Sequence, residues 1–208
     1  MEKTYGQYCP MAAGLDLLGD RWVLLICREL NLGDQRFTDL RAALPGIAPN
    51  LLSERLKTLQ AEGLVTTAEL PPPAARTVYR MTEEGRTILP VLAAMARFGV
   101  RHLHGEPTPA FGATRAAHAL LNPWRRRKPV DLHARLVLDG ARGSDREVDI
   151  VLDGIETRIG PATGAPDLMM TTTVDALVAA RQPGGTLDAT FTGSAKKRAA
   201  FLAAFDFG

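Results

Sequence analysis

The sequence predicts an α+β fold in two unlike halves, the first mostly helical and the second built on a sheet covered by helices. Between residues 10 and 104, apolar side chains recur every three or four positions, as in helices packed on a core. Residues 147–153 instead alternate apolar and polar side chains, which is typical of a strand with one wet face. The stretch 104–112 mixes Gly and Pro. We therefore predict domains at 1–104 and 113–208, joined by a linker at 105–112.

The composition of this 208-residue chain is that of a globular protein, with 46% hydrophobic and 23% charged side chains, so extended disorder is excluded. No apolar run approaches the ~18 residues of a membrane span, and the first ten residues lack the apolar core of a signal peptide. These features predict a cytoplasmic protein without membrane contact. Residues 1–113 hold equal numbers of acidic and basic side chains, so any nucleic-acid site must come from local placement of charge.

Seven elements are predicted in the first half. They are a short helix ending at Gly19, helices Arg21–Leu30, Phe37–Leu44 and Pro49–Glu62, strands Leu64–Thr67 and Thr77–Met81, and a long helix Glu83–His104. Asp20 and Thr82 are the expected N-caps, and Pro49 suits a first helical turn. Pro71–Ala75 forms a stiff tip between the strands. This order, with a tight turn before the fourth helix, is that of a winged helix-turn-helix domain.

Several short motifs in this half are specific in combination. They are Cys-Pro at 9–10, Gly-Asp-Arg-Trp at 19–22, Arg-Phe-Thr-Asp-Leu at 36–40, Leu-Pro-Gly-Ile at 44–47 and Val-Tyr-Arg-Met-Thr-Glu-Glu-Gly at 78–85. With them, residues 8–104 resemble the HxlR branch of the MarR-like transcriptional regulators. The resemblance implies a homodimer that binds a double-stranded DNA operator near a promoter.

The predicted fourth helix has one apolar and one polar face. Leu52, Leu56 and Leu59 fall within roughly 60° of one another around the helix and form the buried seam. The polar face can enter a major groove, while cations on the wing meet phosphates or a minor-groove wall. The candidate DNA contacts are Asn50, Ser53, Glu54, Arg55, Lys57, Arg76 and Arg80. The alternative is that these side chains form only a solvated surface.

An apolar stripe on the predicted long helix is wider than a small winged domain requires. It comprises Ile88, Leu89, Leu92, Met95, Ala96, Gly99 and Val100. We predict that it packs against the same stripe of a second chain, together with the N-terminal helix around Leu15 and Leu18.

Cys9 is the position with the clearest chemical interest. It precedes Pro10 at the entry to the first helix, where backbone donors stabilise a thiolate. In the resembling family a cysteine at this point often senses oxidants or electrophiles; the alternative is an inert small residue. Cys27 lies among apolar side chains and is predicted to belong to the core.

The second half is predicted to combine strands with a few helices. The helices are Ala113–Leu121, Val174–Arg181 and Ser194–Phe205, and the strands are His133–Asp139, Glu147–Asp153, Leu168–Thr173 and Leu187–Thr192. With this order of elements and the segments 166–185 and 187–205, which are marked by small and apolar residues, residues 115–208 resemble the sterol carrier protein fold. The resemblance implies an apolar tunnel between sheet and helices. Its candidate lining residues are Met169, Met170, Leu177, Phe191, Phe201 and Phe205. The alternative is that these side chains fill a core.

The sequence carries no strong catalytic signal. Metalloprotease, nucleophile-elbow, dinucleotide-binding and P-loop motifs are missing, and the four histidines lack a metal-ligand spacing with the cysteines, so we expect no enzyme, metal or cofactor. We therefore expect a dimeric DNA-binding transcriptional regulator whose C-terminal domain either binds a small apolar effector or adds to the oligomer. Modification of Cys9 is a further expected input. The alternative is a hydrophobic-ligand carrier or partner-binding protein whose winged helix does not read DNA.

Overall fold

Two units with separate cores follow one another along the chain, Met1–Leu92 and Ala93–Gly208. In this computed structural model the described residues are 4–70, 76–105, 111–126, 128–140 and 145–207. The division falls inside helix α6 (Leu89–Gly99), earlier in the chain than the predicted linker. Residues 106–110 of that linker lie outside the described residues.

The first unit has the predicted order of elements. They are α1 (Pro10–Leu18), α2 (Val23–Leu30), α3 (Phe37–Ala43), α4 (Pro49–Ala61), β1 (Val65–Glu69), β2 (Thr77–Met81) and α5 (Glu83–Arg86), followed by the start of α6. β1 and β2 pair antiparallel. Gln35 and Tyr79 exchange backbone hydrogen bonds of 3.0 and 2.7 Å, which add a short bridge to this hairpin. The predicted tip 71–75 lies outside the described residues.

The second helix begins at Val23, so the predicted start at Arg21 and the predicted cap at Asp20 are wrong. The Asp20 carboxylate instead lies 3.0 Å from the Arg55 guanidinium on α4. Trp22 occupies the N-cap position with a φ of +84°, in the left-handed region that few non-glycine residues adopt. The chain therefore turns sharply before α2.

The predicted long helix Glu83–His104 is interrupted. It consists of α5, α6 and a 3₁₀ turn at Val100–His102. Pro90 causes the first break, because it lacks the N–H that would bond the carbonyl of Arg86 in a continuous helix. The predicted cap is confirmed: the Thr82 hydroxyl accepts a hydrogen bond of 2.9 Å from the Gly85 N–H.

The second unit is a five-stranded sheet with helices on one side. Its elements are α7 (Ala113–Ala116), a π-helical turn (Ala117–Leu121), a 3₁₀ turn (Asn122–Trp124), β3 (Leu132–Leu138), β4 (Glu147–Asp153), β5 (Glu156–Pro161), β6 (Leu168–Thr172), α8 (Val174–Ala180), β7 (Thr190–Gly193) and α9 (Ala195–Ala204). The strand order is β5-β4-β3-β6-β7, with only the β3–β6 pair parallel among these strands. The sequence did not predict β5, which is an edge strand with no fully buried residue.

One face of this sheet carries the core of the second unit. Leu136 on β3, Ile150 on β4 and Met170 on β6 are fully buried there. They belong to the same cluster as Phe201 and Phe205 of α9 and its C-cap. The predicted sheet with helices on one face is thus present in the structure.

Candidate nucleic-acid interface

Helices α3 and α4 form a helix-turn-helix. The turn between them contains Gly46 with a φ of +89°, a conformation in which glycine is unstrained, and the Ile47 N–H donates to the Leu44 carbonyl at 3.2 Å. Pro49 occupies the first turn of α4, as predicted. The sequence Leu-Pro-Gly-Ile therefore sets where α4 begins.

The two faces of α4 differ as the sequence predicted. Leu52, Leu56 and Leu59 are at most 1% exposed and belong to the core of the first unit. Asn50 and Lys57 are exposed, and the Glu54 side chain is 66% exposed. Ser53 is half-buried. The helix is thus anchored by its leucines and presents a polar face to solvent.

Arg55 on α4 is paired with two carboxylates. Its guanidinium lies 3.0 Å from the Asp20 carboxylate and 2.9 Å from that of Glu54, and its side chain is only 14% exposed. Glu54 therefore directs its charge at Arg55. Arg55 therefore links α4 to the turn before α2 through an ion pair.

The two cations predicted on the β1–β2 hairpin, Arg76 and Arg80, are both exposed, and Arg80 is paired. Arg80 on β2 donates from Nε and Nη2 to the two carboxylate oxygens of Asp34, at 2.8 and 2.5 Å. These hydrogen bonds hold the pKa of Asp34 below its ordinary value of 3.8. The Arg80 side chain is still 49% exposed, so its outer edge faces solvent. Arg76 lies just before β2 and is exposed.

The two cysteines have opposite environments. Cys9 is exposed and is the N-cap residue of α1, directly before Pro10. Cys27 is fully buried on α2, and burial raises the pKa of its thiol to about 11. The prediction of Cys27 as a core residue is confirmed, and at neutral pH its thiol stays protonated.

The apolar surface of α6 differs from the predicted stripe. Ile88 and Val100 are 5% and 4% exposed and pack within cores, so they are not available to another chain. The exposed large apolar side chains of α6 are Val91, Met95 and Phe98, at 42, 52 and 60%. They follow the i, i+4, i+7 spacing of one helix face. On α1 and just before it, Tyr8, Met11 and Leu15 are likewise exposed.

The candidate pocket residues of the second unit do not share one face. Met170, Leu177, Phe201 and Phe205 are fully buried, and Phe191 is half-buried with its ring 6.4 Å from that of Phe201. Met169 adjoins Met170 on β6, and neighbouring strand residues point to opposite faces. Met169 therefore lies on the opposite face of the sheet from Met170, and the apolar tunnel stays a prediction.

Sequence reasoning missed a buried carboxylate on the other face of the sheet. Asp149 is 3% exposed and accepts hydrogen bonds of 2.7 Å from Arg135 Nε and from the Thr163 N–H, and His133 Nε2 lies 2.8 Å away. Burial raises its pKa, but these partners outweigh that effect and lower the pKa to about 2. In the sequence Asp149 has the pattern of a solvent-exposed strand residue, so nothing in the sequence indicates that it is buried.

The family profile that matches this chain is that of the HxlR-like helix-turn-helix proteins, over residues 17–107. The HTH-type transcriptional regulator YvaP of Bacillus subtilis is 38% identical over 93 residues, which cover 44% of this chain and 86% of YvaP. The chain belongs to the HxlR-like helix-turn-helix family. A regulator of Synechocystis, sll1512, is also 38% identical, over 49% of this chain and 75% of its own length.

The HxlR-like assignment concerns the first part of the chain. The crystal structure of the reduced regulator YodB of B. subtilis is 30% identical, with a TM-score of 0.41, and covers 48% of this chain and 100% of that one. Because the family profile ends at residue 107, the sterol-carrier-like assignment of residues 113–208 stays a prediction. None of the helices described in the structure is long and apolar enough to cross a membrane.

Proposed function

We propose that this HxlR-like protein is a homodimeric, non-enzymatic transcriptional regulator that places α4 in the major groove of an operator. The observation that carries the proposal is the two-faced α4, whose leucines are buried while Asn50 and Lys57 are exposed behind a tight turn. Short polar side chains near the start of such a helix can reach base edges. The β1–β2 hairpin brings Arg76 and Arg80 to the phosphates beside this groove.

A second copy of the chain is the partner that the exposed apolar side chains of α1 and α6 fit. Val91, Met95 and Phe98 form an apolar row on one helix, and leaving such a row in water is costly. A twofold dimer would bury the row against itself and present two copies of α4 to successive major grooves. It would also bring the cations of two copies to one DNA duplex. This matters because residues 1–113 carry no net charge.

We further propose two inputs that change operator occupancy. Cys9 is exposed at the start of α1, where reagents can reach its thiol. The other input is a small apolar effector bound by residues 113–208 beside Leu177, Phe191 and Phe201. Either one shifts the dimer between states by its different affinity for them.

Selection of bound fragments from the source genome tests the DNA-binding proposal directly. We expect a small set of fragments with two half-sites about one helical turn apart, because both recognition helices face the same side of a dimer. Recovery of no enriched fragment, together with no salt-dependent retardation of duplex DNA, would favour the alternative of a hydrophobic-ligand carrier. The Lys57→Ala variant is the matched loss-of-function control, with Lys196→Ala removing an equal charge at an exposed position of α9.

A further inference from the structure

Arg181, directly after α8, is a buried cation that the proposed function does not use. It is 7% exposed, and burial lowers its pKa to about 10. Its Nε donates to the Leu120 carbonyl in the π-helical turn at 2.8 Å, and its Nη1 lies 3.4 Å from the Asp206 carbonyl. Among the described residues no carboxylate forms an ion pair with it; the Asp206 side chain pairs with Arg126 instead. The Asp206 carboxylate is not in direct contact with Arg181, but its charge offsets part of the effect of burial on the pKa. A buried guanidinium that no carboxylate contacts directly is unusual, because the charge has lost its water.

The guanidinium lies against two aromatic rings. Its carbon lies 4.6 Å from the ring centroid of Trp124 and 3.7 Å from that of Phe207. Both distances are within the range of cation–π contacts. The remaining nitrogen, Nη2, is buried and has no hydrogen-bond partner among the described residues. The site therefore has two apolar walls and one unused pair of N–H donors.

The wall formed by Phe207 rests on a strained backbone. Asp206 has a φ of +58°, in the left-handed region that costs a non-glycine residue free energy. The segment is kept in place by the Arg126 ion pair and by the Phe207 N–H, which donates to the Leu202 carbonyl at 2.9 Å. The Phe207 ring thus occupies a position beside the Arg181 guanidinium. Another flat apolar group could occupy the same position.

We propose that Arg181 anchors a small monocarboxylate with a flat apolar body, which displaces the Phe207 ring and accepts hydrogen bonds from Nη2. A carboxylate supplies a negative charge in direct contact with the guanidinium and acceptor oxygens for Nη2. The apolar body then stacks on the guanidinium where Phe207 was. This inference deepens the effector role proposed for residues 113–208 and does not depend on DNA binding.

Calorimetric titration of the full chain with phenylacetate and with phenylacetamide tests the anchor, since the two probes differ mainly in charge. We expect phenylacetate to bind at least tenfold more tightly than the amide. Arg181→Met should remove that advantage while leaving the apolar contacts. Arg198→Met is the matched control, because Arg198 also stacks on an aromatic ring, that of Phe191 at 4.8 Å, but is exposed.

Phe207→Ala provides a second readout that does not require a stable Arg181 variant. Removing the competing ring should tighten phenylacetate binding several-fold. Equal binding of acid and amide would overturn the anchor while leaving an apolar effector site in place. Binding of neither probe, to the wild type and to Phe207→Ala alike, would overturn the anchor and count against the effector role as well. Acid binding that survives Arg181→Met in a variant with wild-type thermal stability would also overturn the proposal.

Discussion

Acid should destabilise the second unit through His118, which lies in the π-helical turn and is half-buried. Burial lowers the pKa of His118 from 6.5 to about 4. In the unfolded chain the imidazole takes up a proton below pH 6.5, whereas in the folded chain it does so only near pH 4. The folded state is therefore progressively disfavoured as pH falls between these two values.

The magnitude follows from the two protonation equilibria. At about pH 5 the unfolded state is stabilised by protonation by roughly 2 kcal/mol relative to about pH 7.5, and partial solvent access makes this an upper value. The paired carboxylates of Asp34 and Asp149 have lowered pKa values and titrate below this window, so they do not mask the effect. Most of the loss should thus belong to His118.

Urea unfolding at the two pH values measures the effect. Trp124 reports on the second unit once Trp22 is replaced by Phe in every variant. His118→Gln cannot be protonated in this window, so its free energy of unfolding should fall by about 2 kcal/mol less than that of the parent. His104→Gln, at an exposed position, is the matched control. An equal loss in the parent and in His118→Gln would refute the reasoning.

The remaining predictions concern DNA binding, the dimer and the thiol. Lys57→Ala should reduce the slope of the log binding constant against log salt concentration by ~0.9 per protomer. Asn50→Ala should cost ~1–3 kcal/mol of binding free energy on the preferred site only. Arg55→Ala should lower the free energy of unfolding by ~1–3 kcal/mol and leave the salt slope unchanged; a slope reduced as in Lys57→Ala would show a phosphate contact instead. Met95→Glu should halve the sedimentation mass toward the 22.5 kDa of one chain, while Ile155→Glu, which also charges an exposed apolar position, should not. Diamide should change operator retardation by the wild type and not by Cys9→Ser; identical responses would leave Cys9 without a sensing role.

The elements of the first unit could be predicted because each has a local signal. Pro49 and the preceding Leu-Pro-Gly-Ile fix where α4 begins, and Thr82 caps α5 through the hydrogen bond expected of a threonine at that position. The start of α2 could not be predicted, because Asp20 forms a long-range pair with Arg55 instead of a local cap. Local propensity does not report a partner that lies far along the chain.

The second unit was harder to predict for a related reason. β5 is an edge strand whose consecutive polar residues, followed by Gly160 and Pro161, resemble a loop in the sequence. Its place is set by pairing with β4. Met169 and Met170 share a residue type, but the period of a strand places them on opposite faces. Asp149 and Arg181 acquire their properties only when burial and partners from other elements surround them.

The charges of the first unit decide how DNA binding can work in this protein. Arg55 and Arg80 are paired with carboxylates of the same chain, so neither contributes a full unpaired charge to a phosphate. Lys57 and Arg76 are then the exposed cations best placed on α4 and the hairpin. One protomer therefore offers few phosphate contacts, and each contact contributes only modestly to affinity at physiological salt. In the proposed dimer both protomers would bind the operator at once, and an effector or a modified Cys9 would act most strongly by changing the proposed contact of α6.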